Sequence, residues 1–282
     1  MSPVFDCTTE AGRSEAVTKT AEGVRRGALV VLPTDTVYGI GADAFDGEAV
    51  KALLAAKGRG PDMPPPVLVP EARTIDGLAT QVPAYARALV EEFWPGPLTL
   101  VLQAQPSLVW DLGETGGTVA LRMPDDEVAL EVLRAVGPMA VSSANRHGYP
   151  SSRTVLDAAS QLGAAVEFYL DGGPSTGGLA STIVDCTRDE PVVLRLGALS
   201  EEDVMAVVER SRADALQLSD ADDGPADDDP AAETDDGTRA AADDAAADSQ
   251  TDAGTQTDAQ TDSGAETDAP TQDEPRETST DE

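Results

Sequence analysis

The composition of the chain changes abruptly near residue 212, and this break decides how much of it can fold. Residues 1–212 combine regular apolar runs with charged positions, whereas residues 213–282 are almost entirely Asp, Ala, Thr, Gly, Gln and Glu. The second segment has too few apolar side chains to offset the entropy that ordering would cost. We therefore predict one folded domain over residues 1–212 and a disordered acidic tail over residues 213–282. The alternative for the tail is a docking segment for a basic partner.

The charge is strongly negative on both sides of this break. Residues 1–212 hold 29 acidic and 17 basic residues, a net charge of −12, and the remainder brings the chain to −33. Such a balance suits a cytoplasm rich in salt, where screening weakens self-repulsion, so a halophilic source is our hypothesis. Cys7 and Cys186 have no metal-binding spacing. Because there is no signal peptide and no apolar run of 18 residues, we expect a cytoplasmic protein without a membrane span.

Hydrophobic periodicity and the placement of Gly and Pro predict helices and strands that alternate early and strands that cluster late. Helices are predicted over residues 13–26, 47–60, 82–94, 125–136, 152–162 and 200–212. Strands are predicted over residues 28–33, 64–69, 98–103, 117–124, 138–145, 166–173, 181–186 and 192–197. This order predicts an α/β domain with a twisted mixed sheet flanked by helices.

Polar residues cluster where the predicted strands end, which is the usual place for a ligand on an open α/β sheet. The run VVLPTDTVYGIGADAFD, residues 30–46, is the clearest case, because an apolar strand stops at Pro33 and small hydroxyls and glycines follow. The other candidates at strand ends or in nearby loops are Lys57, Arg59, Arg122, Ser142, Ser143, Asn145, Ser181, Thr182 and Arg195. Four cations retained in so acidic a chain favour an anionic ligand over scattered surface ion pairs.

Several kinds of chemistry have little support. His147 is the one histidine, so histidine metal sites and a Ser-His-Asp relay are disfavoured. No GxxxxGK or helix-opening GxGxxG motif occurs. The glycine-rich run at residues 171–178 is either a phosphate loop or a surface turn. Asp35, Asp43 and Asp185 could hold Mg²⁺ through nucleotide phosphates, although their spacing does not establish it.

Seven motifs occur in an order that resembles the YrdC-like family of threonylcarbamoyl-adenylate synthases. They are PTDTVYGIGADAFD, KGRG with MPPPVLV, WPGPLTLVL, VALRMP, SSANRHGYPS, STIVD and VLRLG, and the resemblance runs over residues 11–212. It implies a YrdC-like α/β sheet with a concave, anion-binding cavity. It also implies a nucleotidyltransferase that makes threonylcarbamoyl-AMP and pyrophosphate from L-threonine, bicarbonate and ATP, with Mg²⁺ accompanying ATP. A downstream transferase would then pass the threonylcarbamoyl group to tRNA.

The resemblance also implies roles for individual residues. The threonine side is expected to comprise Thr36, Arg122, Val141 and Ser181. The ATP side is expected to comprise Lys57, Arg59, Thr118, Ser143, Asn145, Ser151 and Arg195. Lys57, Arg59 and Arg195 are expected to neutralise the charge that develops during catalysis, and no protein metal ligand is expected.

The chain departs from the family pattern at Met63 and Leu68, where many members carry an asparagine and a histidine, so we assign these two positions no role. Longer members also close the site with a linker to a second domain, and here the acidic tail stands in that place. The alternative function is a module that binds tRNA or double-stranded RNA without turnover. The net charge disfavours it because the protein would repel phosphates.

Overall fold

One mixed sheet organises the domain in the computed structural model, which describes residues 2–222. Its path runs β1-β9-β2-β3-β8-β4-β7-β6-β10-β11, and β5 pairs with β6 outside this path. The strands are β1 Val4–Asp6, β2 Val30–Leu32, β3 Gly39–Asp43, β4 Val67–Leu68, β5 Ala79–Thr80, β6 Leu98–Ala104, β7 Thr118–Arg122, β8 Met139–Ser143, β9 Phe168–Asp171, β10 Thr182–Asp185 and β11 Val192–Arg195. The sheet contains both parallel pairs, such as β4 with β7, and antiparallel pairs, such as β3 with β8.

Helices connect and cover these strands. They are α1 Glu10–Val24, α2 Gly47–Lys57, α3 Ile75–Leu78, α4 Ala84–Phe93, α5 Glu127–Val136, α6 Val155–Leu162 and α7 Glu201–Asp222. Their ends have the expected chemistry. Asp46 accepts hydrogen bonds from the first turn of α2, Thr154 and Asp157 form a capping box on α6, and Ser200 caps α7.

The two faces of the sheet are covered unequally, and this asymmetry creates the cavity. Val31 packs into the larger apolar cluster with residues of α2, α4, α6 and α7, whereas Val30 and Leu32 pack into a second cluster with α1 and α5. The α1 and α5 side chains of this second cluster pack on residues of strands β9, β2 and β8, and Leu68 of β4 also belongs to the cluster. Farther along the sheet, the same alternation leaves residues of β4, β7, β6 and β10 facing a cavity.

The predicted α/β class and mixed sheet are confirmed, and every predicted helix and strand has a counterpart. Strands β1, β3 and β5 and the short helix α3 were not predicted. The most consequential difference concerns β3, because residues expected to form a loop after Pro33 return as a strand antiparallel to both β2 and β8. Its glycines fit because a Cβ at Gly39 would lie 2.6 Å from Cγ1 of Val141 on β8.

The last helix continues beyond the predicted end of the domain. It reaches Asp222, ten residues past residue 212, because the run ADALQL at residues 213–218 consists mostly of good helix formers. The predicted disorder of the tail lies, from residue 223 onward, outside the described residues. Within residues 2–222, none of the helices combines the length and the apolar character that crossing a membrane requires.

Candidate active site

A cavity of about 470 Å³ opens on the sheet face that α1 and α5 leave uncovered. Its wall draws on the loop between β2 and β3, on strands β4, β6, β7, β8, β10 and β11, and on the loop after β8. Both amino-terminal and carboxyl-terminal ends of strands contribute to the cavity wall, because parallel and antiparallel pairs meet at this point. The site therefore lies across the face of the sheet and not only at its carboxyl edge.

Arg122 at the end of β7 forms one end of the cavity, and the residue as a whole is 6% exposed. Its Nε donates to the Gly96 carbonyl at 2.9 Å and its Nη1 donates to Thr36 Oγ1 at 2.9 Å. Its Nη2 donates to Oδ1 of Asp35 in a buried ion pair. Burial lowers the pKa of Arg122, and the carboxylate of Asp35 opposes that shift. Three of the five guanidinium N–H groups are thus committed, which leaves one on each terminal nitrogen.

The loop that carries Asp35 and Thr36 is held from beneath by the glycine-rich run at residues 171–178. Ser175 Oγ donates to the Thr36 carbonyl at 2.6 Å, and the Gly178 amide donates to the same carbonyl at 2.9 Å. A Cβ at Gly177 would lie 2.3 Å from the Asp35 carbonyl oxygen, so only glycine allows this approach. Of the two alternatives for this run, a phosphate loop or a surface turn, the structure agrees with the surface turn, because most of the run is exposed and none of it lines the cavity. The run also supports the loop after β2.

The C-terminal end of α2 brings two cations to the opposite side. Gly58 ends the helix in the left-handed conformation, so Lys57 and Arg59 diverge. Arg59 lines the cavity and its Nη1 donates to Ser142 Oγ at 3.3 Å. Lys57 is 1% exposed, and its Nζ donates to the carbonyls of Ser143 and Asn145. Burial, followed by the nearby charge of Arg59, lowers the pKa of Lys57 to about 7.

The loop after β8 folds over the cavity as a compact turn. The Asn145 amide group donates to the carbonyls of Arg146, at 3.0 Å, and Tyr149, at 2.7 Å. The His147 amide donates to the Lys57 carbonyl at 2.8 Å, and Ser152 Oγ donates to the Ala144 carbonyl. Asn145 thereby orients the loop, and Ser151 lies farther along it in the cavity wall.

Arg195, at the end of β11, closes the third side. Its Nη2 donates to the Ser181 carbonyl at 2.7 Å and to Ser181 Oγ at 3.1 Å. Ser181 Oγ also shares a hydrogen bond of 2.8 Å with Thr99 Oγ1 on β6. Arg195 is an exposed side chain, so it is freer to move toward a ligand than the buried Arg122.

Comparison with known proteins identifies the family. The family profile for Sua5, YciO and YrdC, described as "Telomere recombination", matches residues 22–197, more than half of the chain. This chain belongs to the Sua5/YciO/YrdC family.

Named members of this family have substantial sequence identity to this chain. A protein of Mycobacterium tuberculosis H37Rv, provisionally named threonylcarbamoyl-AMP synthase, is 54% identical over 208 residues, covering 74% of this chain and 96% of the relative. The threonylcarbamoyl-AMP synthase of Bacillus subtilis is 38% identical over 194 residues, covering 68% of this chain and 56% of the relative. A crystal structure of Pyrococcus abyssi Sua5 complexed with L-threonine is 37% identical with a TM-score of 0.69. The match covers 73% of this chain and 60% of that one.

Most of the residues predicted for a YrdC-like site meet in this one cavity. Those in its wall are Thr36, Arg59, Arg122, Val141, Ser143, Asn145, Ser151, Ser181 and Arg195. Lys57 lies just behind the wall. Thr118 is outside this wall, at the start of β7, and its hydroxyl donates to the Thr115 carbonyl at 2.8 Å. Thr118 and Arg122 are at opposite ends of a five-residue strand, which separates them by roughly 13 Å.

The cavity wall also contains residues that were not predicted, and Thr99 and Leu68 are two of them. Thr99 lines the cavity and shares a hydrogen bond with Ser181. The sequence pattern of its strand could have predicted this position. It is the polar member of an alternating strand whose neighbours Leu98 and Leu100 are buried in the core. Leu68, to which no role was assigned, also lines the cavity and is paired with Arg122 across β4 and β7.

The three aspartates considered for Mg²⁺ do not converge. Asp35 is paired with Arg122, Asp43 Oδ1 accepts from the Phe45 amide, and Asp185 Oδ1 accepts from Thr187. No carboxylate is among the described residues that line the cavity, and residues 2–222 contain no cluster of three ligating side chains suited to a metal. The residues of this site therefore do not fit a protein-held divalent ion.

Proposed function

We propose that this chain is a threonylcarbamoyl-AMP synthase that joins L-threonine, bicarbonate and ATP, with release of pyrophosphate. The observation that carries the proposal is the convergence of Arg59, Arg122 and Arg195 on one cavity whose described lining has no carboxylate. Such a cavity suits a set of anionic substrates. The names of the M. tuberculosis and B. subtilis relatives favour this activity over RNA binding without turnover.

The threonine side of the site is proposed to be the pocket between Arg122 and Ser181. The two uncommitted N–H groups of Arg122, one on each terminal nitrogen, match the two oxygens of a carboxylate. Thr36 and Ser181 supply hydroxyls, while Val141 contributes an apolar surface beside Gly39. The complex of P. abyssi Sua5 with L-threonine supports the choice of this amino acid. Discrimination against serine should be modest, because one methyl is worth about 1–3 kcal/mol in a pocket.

The nucleotide side is proposed to extend from Arg59 past Ser143 and Asn145 to Ser151 and Arg195. All five residues line the same cavity. Arg59 and Arg195 are placed to contact phosphate oxygens. Because the site does not fit a protein-held metal, we propose that Mg²⁺ enters only as part of the ATP complex. The roles of the protein's residues in the reaction do not depend on it.

The proposed chemistry needs no protein nucleophile. The amine of threonine attacks bicarbonate, which loses water and gives an N-carboxylate. A carboxylate oxygen then forms a bond to the α-phosphorus of ATP, and the bond from that phosphorus to the β-phosphate oxygen breaks, which releases pyrophosphate. The protein's contribution is to hold the three substrates, each of which carries an anionic group, together and to stabilise the charge that develops, which is the work of Arg59, Arg122 and Arg195.

Pyrophosphate release tests the proposed function directly. Purified protein in molar KCl with ATP and magnesium should release pyrophosphate only when threonine and bicarbonate are both present. Release without threonine would point to another acceptor or to simple nucleotide hydrolysis. An absence of release, together with retardation of tRNA in a gel, would instead support the RNA-binding module.

The wider setting is also a proposal. The product is a mixed anhydride, so a transferase must consume it promptly, and tRNA would be the acceptor in that second step. We propose that both steps take place in the cytoplasm. Addition of such a transferase and tRNA to the pyrophosphate assay should move the threonylcarbamoyl group to RNA, which labelled threonine would reveal.

A further inference from the structure

Lys57 is the basic residue of the site whose side chain does not reach the cavity. It ends α2, is 1% exposed and is absent from the cavity wall, although Arg59, two residues later, is part of that wall. A cationic side chain that binds a phosphate directly must be exposed to the cavity in which the phosphate lies. The position of Lys57 therefore calls for a different role.

The side-chain hydrogen bonds of Lys57 go to the last residue of β8 and to the segment that follows it. Its Nζ donates to the carbonyls of Ser143 and Asn145, the second at 2.7 Å, and Ser143 Oγ lies 3.5 Å away. The backbone makes a further contact, because the His147 amide donates to the Lys57 carbonyl at 2.8 Å. One residue thus holds residues 143–147 from both its side chain and its main chain.

The electrostatic setting agrees with this placement. Within the described residues, Lys57 has no carboxylate in salt-bridge range, and the oxygens around its ammonium are neutral. The charged group that acts on it is Arg59, whose repulsion adds to the effect of burial and lowers the pKa of Lys57 to about 7. Burying an ammonium is costly unless hydrogen bonds compensate for the lost water, and here those hydrogen bonds go to the carbonyls of Ser143 and Asn145.

We propose that Lys57 is a positioning residue that fixes the carbonyls of Ser143 and Asn145, so that this segment presents its polar groups to the cavity, and that Lys57 does not itself bind the nucleotide. The proposal rests on the proposed function for the identity of the ligand. The contacts of Lys57 lie within the protein itself, so this part of the argument does not depend on the proposed function. Lys57 and Arg59 therefore have different tasks although they lie two residues apart.

Hydrogen exchange in the ligand-free protein distinguishes the two tasks. The substitution Lys57→Met keeps the length of the side chain and removes the donors, so the amides of residues 144–149 should exchange about 10-fold faster or more, because the lost hydrogen bonds no longer oppose local opening. Arg59→Met is the matched control, and exchange of the same amides should stay within about 2-fold of wild type. Equal exchange in the two variants would overturn the proposal.

A second measurement uses the wild-type protein and is independent of whether the variant folds. Burial, followed by the charge of Arg59, lowers the pKa of Lys57 to about 7, so its side chain is expected to pass from ammonium to neutral amine near that pH. The carbonyl ¹³C shifts of Ser143 and Asn145 should therefore titrate with the same midpoint as the Lys57 side-chain nitrogen. Carbonyl shifts that stay flat while that nitrogen titrates would refute a positioning role. Neither measurement requires ATP, so a failure of the proposed reaction would be seen separately, in pyrophosphate release.

Discussion

At the scale of single residues, the site depends on one buried ion pair. Arg122 is held by the Gly96 carbonyl, by Thr36 and by Asp35, and the side chains of the ion pair are only 8% and 14% exposed. Asp35 also accepts from the Asp125 amide at 3.0 Å, which ties the loop after β2 to the end of β7. The acid therefore compensates the charge of the arginine while leaving two of its N–H groups for a substrate.

Removal of the acid should reveal this compensation. Asp35→Ala leaves a buried guanidinium without its counter-ion, and we expect the free energy of unfolding to fall by about 3–5 kcal/mol. Urea denaturation at neutral pH measures the change. Asp125→Asn, at an exposed neighbouring acid, is the control and should change stability by less than about 0.5 kcal/mol. A loss below about 1 kcal/mol for Asp35→Ala would mean that the pair behaves like one at the surface.

Residue chemistry predicted much of the candidate site. Arg59, Arg122 and Arg195 were selected because cations in an acidic chain call for an anionic ligand, and they do line one cavity. Thr118 was assigned to the ATP side through a motif alone, and the cavity does not include it. The ion pair between Asp35 and Arg122 could not be predicted, because 87 residues separate its members and no local pattern joins them.

At the scale of elements, the end of α2 decides which way two cations point. Gly58 has φ 68° and ψ 38°, and its amide donates to the Leu54 and Ala55 carbonyls. A Cβ there would meet nothing within 4 Å, so any cost of substitution comes from the backbone conformation. The turn places Lys57 behind the cavity wall and Arg59 in the wall within three residues.

Substitution of this glycine should therefore have a purely conformational cost. Gly58→Ala is expected to lower the free energy of unfolding by about 1–2 kcal/mol, because alanine is disfavoured in the left-handed region. Gly58→Asn should lose less, since asparagine tolerates that region. Thermal and urea unfolding of the two variants provide the comparison. Equal losses for alanine and asparagine would show that something other than backbone conformation is at work.

The limits of sequence reasoning are also clearest at this scale. The helices and the strands with continuous apolar runs were found because their periodicity and caps are local signals. Strand β3 was missed because glycines at positions 39 and 41 weaken strand propensity. They are needed only because Val141 and Met139 on β8 pack against them, which depends on a partner strand about 100 residues away.

At the scale of the whole molecule, charge sets the working conditions. The net charge of −33 includes −12 in residues 1–212, while the cavity itself is lined by cations. Repulsion among surface acids opposes folding at low ionic strength and is screened within about 3 Å at 1 M salt. The same screening weakens the attraction of the cavity for ATP, so stability and substrate affinity should respond to salt in opposite directions.

This opposition can be measured in one titration with KCl. Raising KCl from about 0.1 M to 1 M should increase the melting temperature by several degrees, since about 1 kcal/mol shifts it by roughly 2–4 °C in a domain of this size. Over the same range the KM for ATP should rise. A melting temperature that does not change with KCl would remove the basis for a halophilic source.

The order of strands in the sheet has a consequence for how the protein is made. The cavity wall includes Thr34, near the start of the chain, and Arg195, at the end of β11, which occupies one edge of the sheet. A ribosome must therefore have released nearly the entire domain before the pocket is complete. A nascent chain interrupted before β11 would contain the loop after β2 and Arg122 but would lack Arg195, which closes the third side of the cavity. Substrate capture would thus begin only when synthesis of the domain is almost finished, and binding of threonine or ATP to stalled chains of increasing length would mark the moment at which the enzyme matures.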